Sequence, residues 1–132
     1  MTTSPVLLDN AAMRLNLAVA GFAHALPAGA LADAMYAPPR ADWLRGEFAG
    51  WFRQCLQRME IASYVPEAGD CDDFAALYAS LARICHWRGW AGRQPAALPV
   101  GELHYVSTEL GPHAVVVAVT SDRGVIVIEP QD

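Results

Sequence analysis

The stretch GDCDDFAALYASL, residues 69–81, decides the fold because a helix start signal and a lone cysteine coincide in it. Asp70 is a favourable N-cap residue, and Asp73 lies where a capping-box carboxylate reaches back to the N-cap amide. Apolar residues then recur at helical spacing: Phe74, Leu77, Tyr78, Leu81, Ile84 and Cys85. We therefore predict a helix that begins after Asp70 and ends before Gly89, a residue that suits the C′ position.

The composition of the 132-residue chain indicates a compact domain. Hydrophobic residues make up 54% of it and charged residues 17%, which is typical of a globular protein with a buried core and not of a disordered chain. The formal net charge is −5, and the nine Lys and Arg residues form no basic run, so we expect no nucleic-acid partner.

The apolar stretch from Leu15 to Leu31 predicts a packed helix and neither a leader nor a membrane span. It lacks a basic n-region, Asp9 precedes it, and His24 and Pro27 interrupt it. We therefore expect no membrane partner.

The three cysteines do not predict a disulfide. Cys71 and Cys85 would lie about 21 Å apart along one helix, which is too far for a bridge. Cys55 and Cys85 both fall on apolar helical stripes and are interpreted as core residues. A reducing, cytoplasmic compartment is the simpler interpretation.

Helical spacing precedes Gly69, and strand spacing follows it. Two helices are predicted, at about residues 7–26 and 42–61. Downstream, alternating patterns predict strands over 102–109, 113–120 and 125–129, the last two joined by a hairpin turn at 121–124. We predict an α+β fold in one domain, 1–132, with a helical part, 1–63, and a part, 64–132, that holds the Cys71 helix and an antiparallel sheet.

Cys71 lies in the first helical turn, where unpaired amides and the helix dipole favour a thiolate, although a structural cysteine would also fit there. A reactive thiol needs a base, and His113 opens an apolar strand in which packing gives no reason for an imidazole. Glu129 ends the next predicted strand. These are the three roles of a Cys-His-acid triad. His104 stays an outside candidate for the base, and two other histidines are read as surface or core residues: His24 and His86.

The choice of acid depends on the hairpin loop. A three-residue loop, residues 122–124 with Gly124 left-handed, puts His113 and Glu129 on one face of the sheet. A two-residue loop would place Asp132 opposite His113 instead. Gly124 favours the first register, so Glu129 is predicted as the acid, and a Glu129 that merely caps an exposed strand end is the alternative.

The segment GDCDDFAALYASLARICHWRGWAGR resembles the core of the transglutaminase-like and papain-like cysteine protease superfamily, with a Gly-x-Cys, an apolar helix, and a late Arg, Gly and Arg. The later HAVVV and IEPQ resemble that superfamily's His-Ala strand and acid-Pro strand. The Glu-Pro-Gln ending is most similar to a protease domain associated with a fungal lectin and to related bacterial and phage proteins. The resemblance covers about residues 64–132. The residues of the first segment that carry it are Gly69, Cys71, Ala75, Arg83, Gly89 and Arg93.

The resemblance implies a papain/transglutaminase-like core and a thiol-dependent hydrolase or acyl-transferase acting on peptide or glutamine-type amides, with a peptidase preferred. Cys71 would be the nucleophile, His113 the base and Glu129 the residue that holds the imidazole. Tyr64 is the candidate for oxyanion or substrate positioning. A peptide or protein substrate is implied, and a homodimer is left open. The acid is Glu where the superfamily usually has Asp. Relatives continue past the equivalent of Asp132, so a terminal strand is either missing or supplied by a partner.

No cofactor is predicted. Asp70, Asp72 and Asp73 suit calcium because hard cations prefer clustered carboxylates, and the lectin-like relatives are calcium-dependent, but capping accounts for two of the three. Zinc lacks further ligands at the right spacing. The alternative function is a non-catalytic binding or structural module on a transglutaminase-like scaffold.

Overall fold

A computed structural model describes residues 7–21, 33–61, 65–66, 69–90, 95–109 and 111–131. Its helices precede a three-stranded antiparallel sheet of order β3-β4-β5, which confirms the predicted α+β class, whereas a papain/transglutaminase-like core is not confirmed. The elements are β1 (Leu8–Asp9), α1 (Asn10–Val19), β2 (Met35–Tyr36), a π-helical segment (Trp43–Phe48), α2 (Ala49–Arg58), α3 (Cys71–Gly89), β3 (Val100–Ser107), β4 (Gly111–Thr120) and β5 (Gly124–Ile128).

Helix α3 begins at Cys71 through the predicted capping box. The Asp70 side chain accepts from the Asp73 amide, and the Asp70 amide donates to Asp73 Oδ2 at 3.1 Å. Gly89 is the last helical residue and not the C′ residue, because the extended Trp90 ends the helix. The face of α3 that packs on the sheet is fully buried: Ala75, Tyr78, Ala79 and Ala82.

The helix predicted over 42–61 is divided. Its first part is the π-helical segment, and α2 ends at Arg58, with Glu60 left-handed at a φ of 59°. A π-helical turn departs from the usual i→i−4 bonding, and here the Leu44 carbonyl accepts a hydrogen bond from the Tyr78 hydroxyl at 2.9 Å. Phe48 meets the Tyr78 ring edge-on with centroids 4.8 Å apart, so the segment is fastened to α3.

The N-terminal helix is shorter than predicted. Strand β1 precedes it, Asp9 Oδ1 accepts from the Ala12 amide at 2.8 Å, and helix α1 ends at Val19 before a left-handed Gly21. The rest of the predicted helix lies outside the described residues. A second apolar cluster joins this region to β4, and its fully buried members are Met13, Leu17, Tyr36 and Val119.

The β4–β5 hairpin has a three-residue loop, 121–123, which begins one residue earlier than predicted. The Thr120 hydroxyl sets this position, because it donates to the Gly124 carbonyl at 2.7 Å and accepts from the Arg123 amide at 3.0 Å. Gly124 is left-handed, with a φ of 65°. The loop is also tied to the distant Ala41, whose amide donates to Asp122 Oδ1 at 2.8 Å.

Strand β3 runs two residues ahead of its predicted bounds, and β5 ends one residue before Glu129. Along the described ranges, no helix is both long and apolar enough to cross a membrane.

Candidate functional site

A cleft of about 420 Å³ opens where the start of α3 meets strands β3 and β4. The helix contributes residues 70–72, β3 contributes 104–106 and β4 contributes 112–114. The capping box fixes the helix start and the β3–β4 pairing fixes the strands, so the cleft is built from rigid elements. Cys71 and His113, predicted from distant parts of the sequence, line this same cleft.

His113 is held by Glu129. Its Nε2 lies 2.8 Å from Glu129 Oε2, and the two side chains are 15% and 28% exposed. The register pairs Val116 with Ile128, which places His113 and Glu129 on one face of the sheet in diagonal positions. The three-residue loop therefore has the consequence expected of it, although Glu129 follows β5 and does not belong to it.

Tyr105 is a cleft residue that the sequence reasoning missed. It pairs across the strands with His113, and the two rings meet edge-on at 90° with centroids 5.5 Å apart. A register for the β3–β4 pair would have found it, but the sequence predicted a register only for the β4–β5 hairpin.

An acidic cluster borders the cleft. Carboxylate oxygens of Asp70, Asp72 and Asp73 lie within 4.8 Å of one another. A hydrogen bond with the Asp70 side chain lowers the pKa of Asp72, and backbone hydrogen bonds lower it further. Two of the three residues are engaged in the capping box. Calcium at this cluster stays a prediction.

The other predicted candidates are placed as follows. His104 also lines the cleft, with its Nε2 3.4 Å from Glu102. His86 lies at the far end of α3, where its Nε2 is 2.9 Å from the Ala96 carbonyl oxygen, so it is separate from Cys71 as expected. Burial raises the pKa of the Cys85 thiol. The candidates that lie outside the described ranges are His24, Tyr64, Arg93 and Asp132.

The arrangement offers a thiol at a helix start, an imidazole on a strand and a carboxylate that fixes the imidazole. These groups have the composition used in nucleophilic catalysis. They are also hydrogen-bonding groups held rigidly around a cleft, which is what a binding site requires. The geometry alone does not separate the two uses.

The fold is similar to that of solved lectin structures. One, titled PSL1a–E64 complex, matches with a TM-score of 0.72 and 20% identity over 96% of this chain and 45% of that chain. Another, Polyporus squamosus lectin bound to the human-type influenza-binding epitope Neu5Acα2-6Galβ1-4GlcNAc, has a TM-score of 0.59 and 22% identity over 77% of this chain and 34% of that chain. This chain therefore spans less than half of either matched chain. No family model matches it, and a search of curated proteins gave no match.

These matches correct the assignment to the transglutaminase-like and papain-like superfamily, because the matched structures carry the name of a lectin. The predicted hydrolase or acyl-transferase activity, and with it the cysteine peptidase, is wrong by the same comparison, because the structural neighbours are lectins. The predicted catalytic triad, which followed from that assignment, is corrected with it. The pattern misled because a capped helix start that faces two strands belongs to the scaffold, and a scaffold does not determine an activity.

Proposed function

We propose that this chain is a non-catalytic binding module whose ligand site is the cleft at the start of α3. The observation that supports it most directly is the cleft itself, about 420 Å³, into which one helix and two strands bring hydrogen-bonding side chains. Ligand pockets in proteins commonly measure about 300–1,000 Å³. The module is the alternative that the sequence left open, and the lectin names of the neighbours favour it.

A glycan is the ligand class that suits this cleft. Sugar hydroxyls both donate and accept hydrogen bonds, and the carboxylates of Asp70 and Asp72 together with the imidazole of His113 offer acceptors for the hydroxyl protons. Tyr105 adds an aromatic ring against which the C–H face of a sugar can pack. The glycan in one neighbouring lectin structure gives further support, carried over from that protein as a proposal.

The charge of the cleft favours a neutral glycan. No arginine is among the described residues that line it, and the chain contains no lysine. A sialic acid carboxylate would therefore face Asp70 and Asp72 without a cation to offset the repulsion. We expect this chain to prefer a neutral oligosaccharide over its sialylated form.

We assign the central roles to Cys71 and His113, which line the cleft, and to Glu129, which does not line it but is paired with His113. Glu129 engages Nε2 of His113, which leaves Nδ1 as the ring atom for a ligand hydroxyl. Cys71 contributes a small, weakly polar group at the helix start. A positioning role for Tyr64 stays a prediction.

Calorimetric titration with Galβ1-4GlcNAc and with its α2-6-sialylated form tests the proposal. We expect His113→Ala and Tyr105→Leu to weaken binding about tenfold, which corresponds to about 1.4 kcal/mol. Val127→Ala is the matched control, because Val127 lies on the same sheet, is 46% exposed and does not line the cleft. Binding that survives His113→Ala, or a preference for the sialylated form, would reject the cleft as described.

The non-catalytic part of the proposal has its own test at Cys71. Iodoacetamide labelling near neutral pH, read by mass spectrometry, compares Cys71 with the half-buried Cys55 and Cys85 as internal controls. Slow labelling of all three supports a binding role. E64 is the second probe, because it is named in the complex of a structurally similar protein. Rapid selective labelling of Cys71, or a covalent E64 adduct on it, would reject a purely binding module.

Several expectations stay predictions beside this one. They are calcium at the acidic cluster, a homodimer, a cytoplasmic location, and a single domain that includes residues 1–63. Each is independent of the glycan test.

A further inference from the structure

A second cavity lies at the opposite end of α3 from the cleft. It encloses about 490 Å³ between residues 37–43, the last turn of α3 and Leu98. Its walls are largely aromatic and proline side chains, among them Pro39, Trp43 and Trp90. No residue lines both this cavity and the cleft.

Contacts with neighbouring rings hold the two tryptophans in place. Trp43 packs on Phe48 with ring centroids 5.3 Å apart, and Trp90 packs on His86 with centroids 4.9 Å apart. His86 is itself fixed by a contact of 2.9 Å with the Ala96 carbonyl oxygen. The aromatic walls are therefore preorganised, which lowers the entropy that a ligand must lose on binding.

Trp90 carries an unmet hydrogen-bonding requirement. Its Nε1 is buried and finds no acceptor among the described residues. A buried indole N–H usually has a partner, and leaving such a donor unsatisfied costs about 1–3 kcal/mol.

The polar rim of the cavity is a paired arginine. Arg40 donates to Asp42 Oδ1 and Oδ2 at 3.1 and 3.3 Å, and its Nη2 lies 3.5 Å from Asp122 Oδ2. One cation beside two carboxylates has no surplus positive charge, so an anionic ligand gains little here. The guanidinium offers donors and the carboxylates offer acceptors side by side, which matches neighbouring sugar hydroxyls.

We propose that this aromatic cavity is a second binding site, which takes a neutral pyranose ring. The C–H face of the ring packs on Trp43 or Trp90, since polarised C–H groups are attracted to the face of an aromatic ring. The ring hydroxyls meet Arg40, the arginine that lines the cavity. The site is separate from the cleft, so neither proposal requires the other.

Indole N–H signals in ¹H–¹⁵N spectra test this site during titration with neutral methyl pyranosides. We expect saturable shifts at millimolar sugar for Trp43 and Trp90 and none for Trp87, which is 81% exposed on α3 and does not line the cavity. N-acetylneuraminic acid and benzoate are the comparison ligands. The absence of any indole shift, or tighter binding of either comparison ligand, would overturn the proposal.

Two substitutions test the position of this site, and two others serve as controls. Trp90→Leu and Arg40→Gln should each weaken pyranoside binding at least about tenfold, while Trp87→Leu should not change it. Arg40 is 64% exposed and its surface ion pairs contribute little to stability, so Arg40→Gln keeps the test decisive if Trp90→Leu fails to fold. An equal loss in Trp87→Leu would overturn the assignment. His113→Ala should leave this binding intact, which separates this site from the cleft.

Discussion

Alkaline pH should destabilise this protein through Tyr78. Burial raises the pKa of Tyr78 to about 12 from its ordinary value of 10.0. The folded state therefore keeps the phenol proton at pH values where the unfolded chain has lost it. The contribution is fully present below pH 10 and is lost as the pH rises towards 12. Two pKa units correspond to at most about 2.7 kcal/mol of unfolding free energy.

The matched variant is Tyr78→Phe, which keeps the ring packed on Phe48 and Phe52 but removes the hydrogen bond to the Leu44 carbonyl. Near neutral pH we expect it to be less stable than the wild type by about 1–2 kcal/mol. Near pH 12 the order should reverse, because only the wild type carries the titrating phenol. All other tyrosines are common to both proteins and cancel in the difference.

Urea titrations followed by tryptophan fluorescence at a series of pH values measure both unfolding free energies. Tyrosinate absorbance in the folded protein reports the ionisation directly. Parallel stability curves for the two proteins up to the highest pH would refute the reasoning. So would a folded Tyr78 that ionises with its unshifted pKa.

Three further predictions follow from the contacts described above. Glu129→Gln should lower the unfolding free energy by about 1–3 kcal/mol and weaken glycan binding in the cleft. Glu102→Gln, which changes the partner of the exposed His104, should do neither. Equal effects of the two substitutions would contradict the role of Glu129. Asp73→Ala removes half of the capping box and should cost about 1 kcal/mol in urea melts, more than Asp72→Ala costs. Deletion of residues 1–40 should yield insoluble or molten protein, since it exposes the β4 side of the second apolar cluster; a truncated chain with a sharp native-like melt would exclude this.

The local signals in the sequence were sufficient for α3 and for the loop length. Asp70 and Asp73 specify the helix start by a contact between near neighbours, and Gly124 favours a left-handed residue at the hairpin. The exact loop position could not be predicted. Two hydrogen bonds of the Thr120 hydroxyl close the turn, and side-chain hydrogen bonds of this kind compete with other local turn conformations in a polar stretch.

Longer-range features could not be read from the sequence. The π-helical segment depends on a tyrosine that lies 34 residues away from the carbonyl it contacts. Tyr105 enters the cleft only through a strand register that no local signal sets. The step from cleft to activity failed for another reason, because a resemblance in motif order describes a scaffold and not the chemistry performed on it.

Strand β5 connects the two candidate sites end to end. Its five residues span roughly 17 Å. Before the first residue of β5, the hairpin loop places Asp122 against Arg40 of the aromatic cavity. Just after the last residue of β5, Glu129 contacts His113 of the cleft. A displacement of β5 along its axis would therefore change the contacts at both candidate sites. If a ligand in one site changes the affinity of the other site by some factor, thermodynamic linkage requires that the second ligand change the affinity of the first site by the same factor.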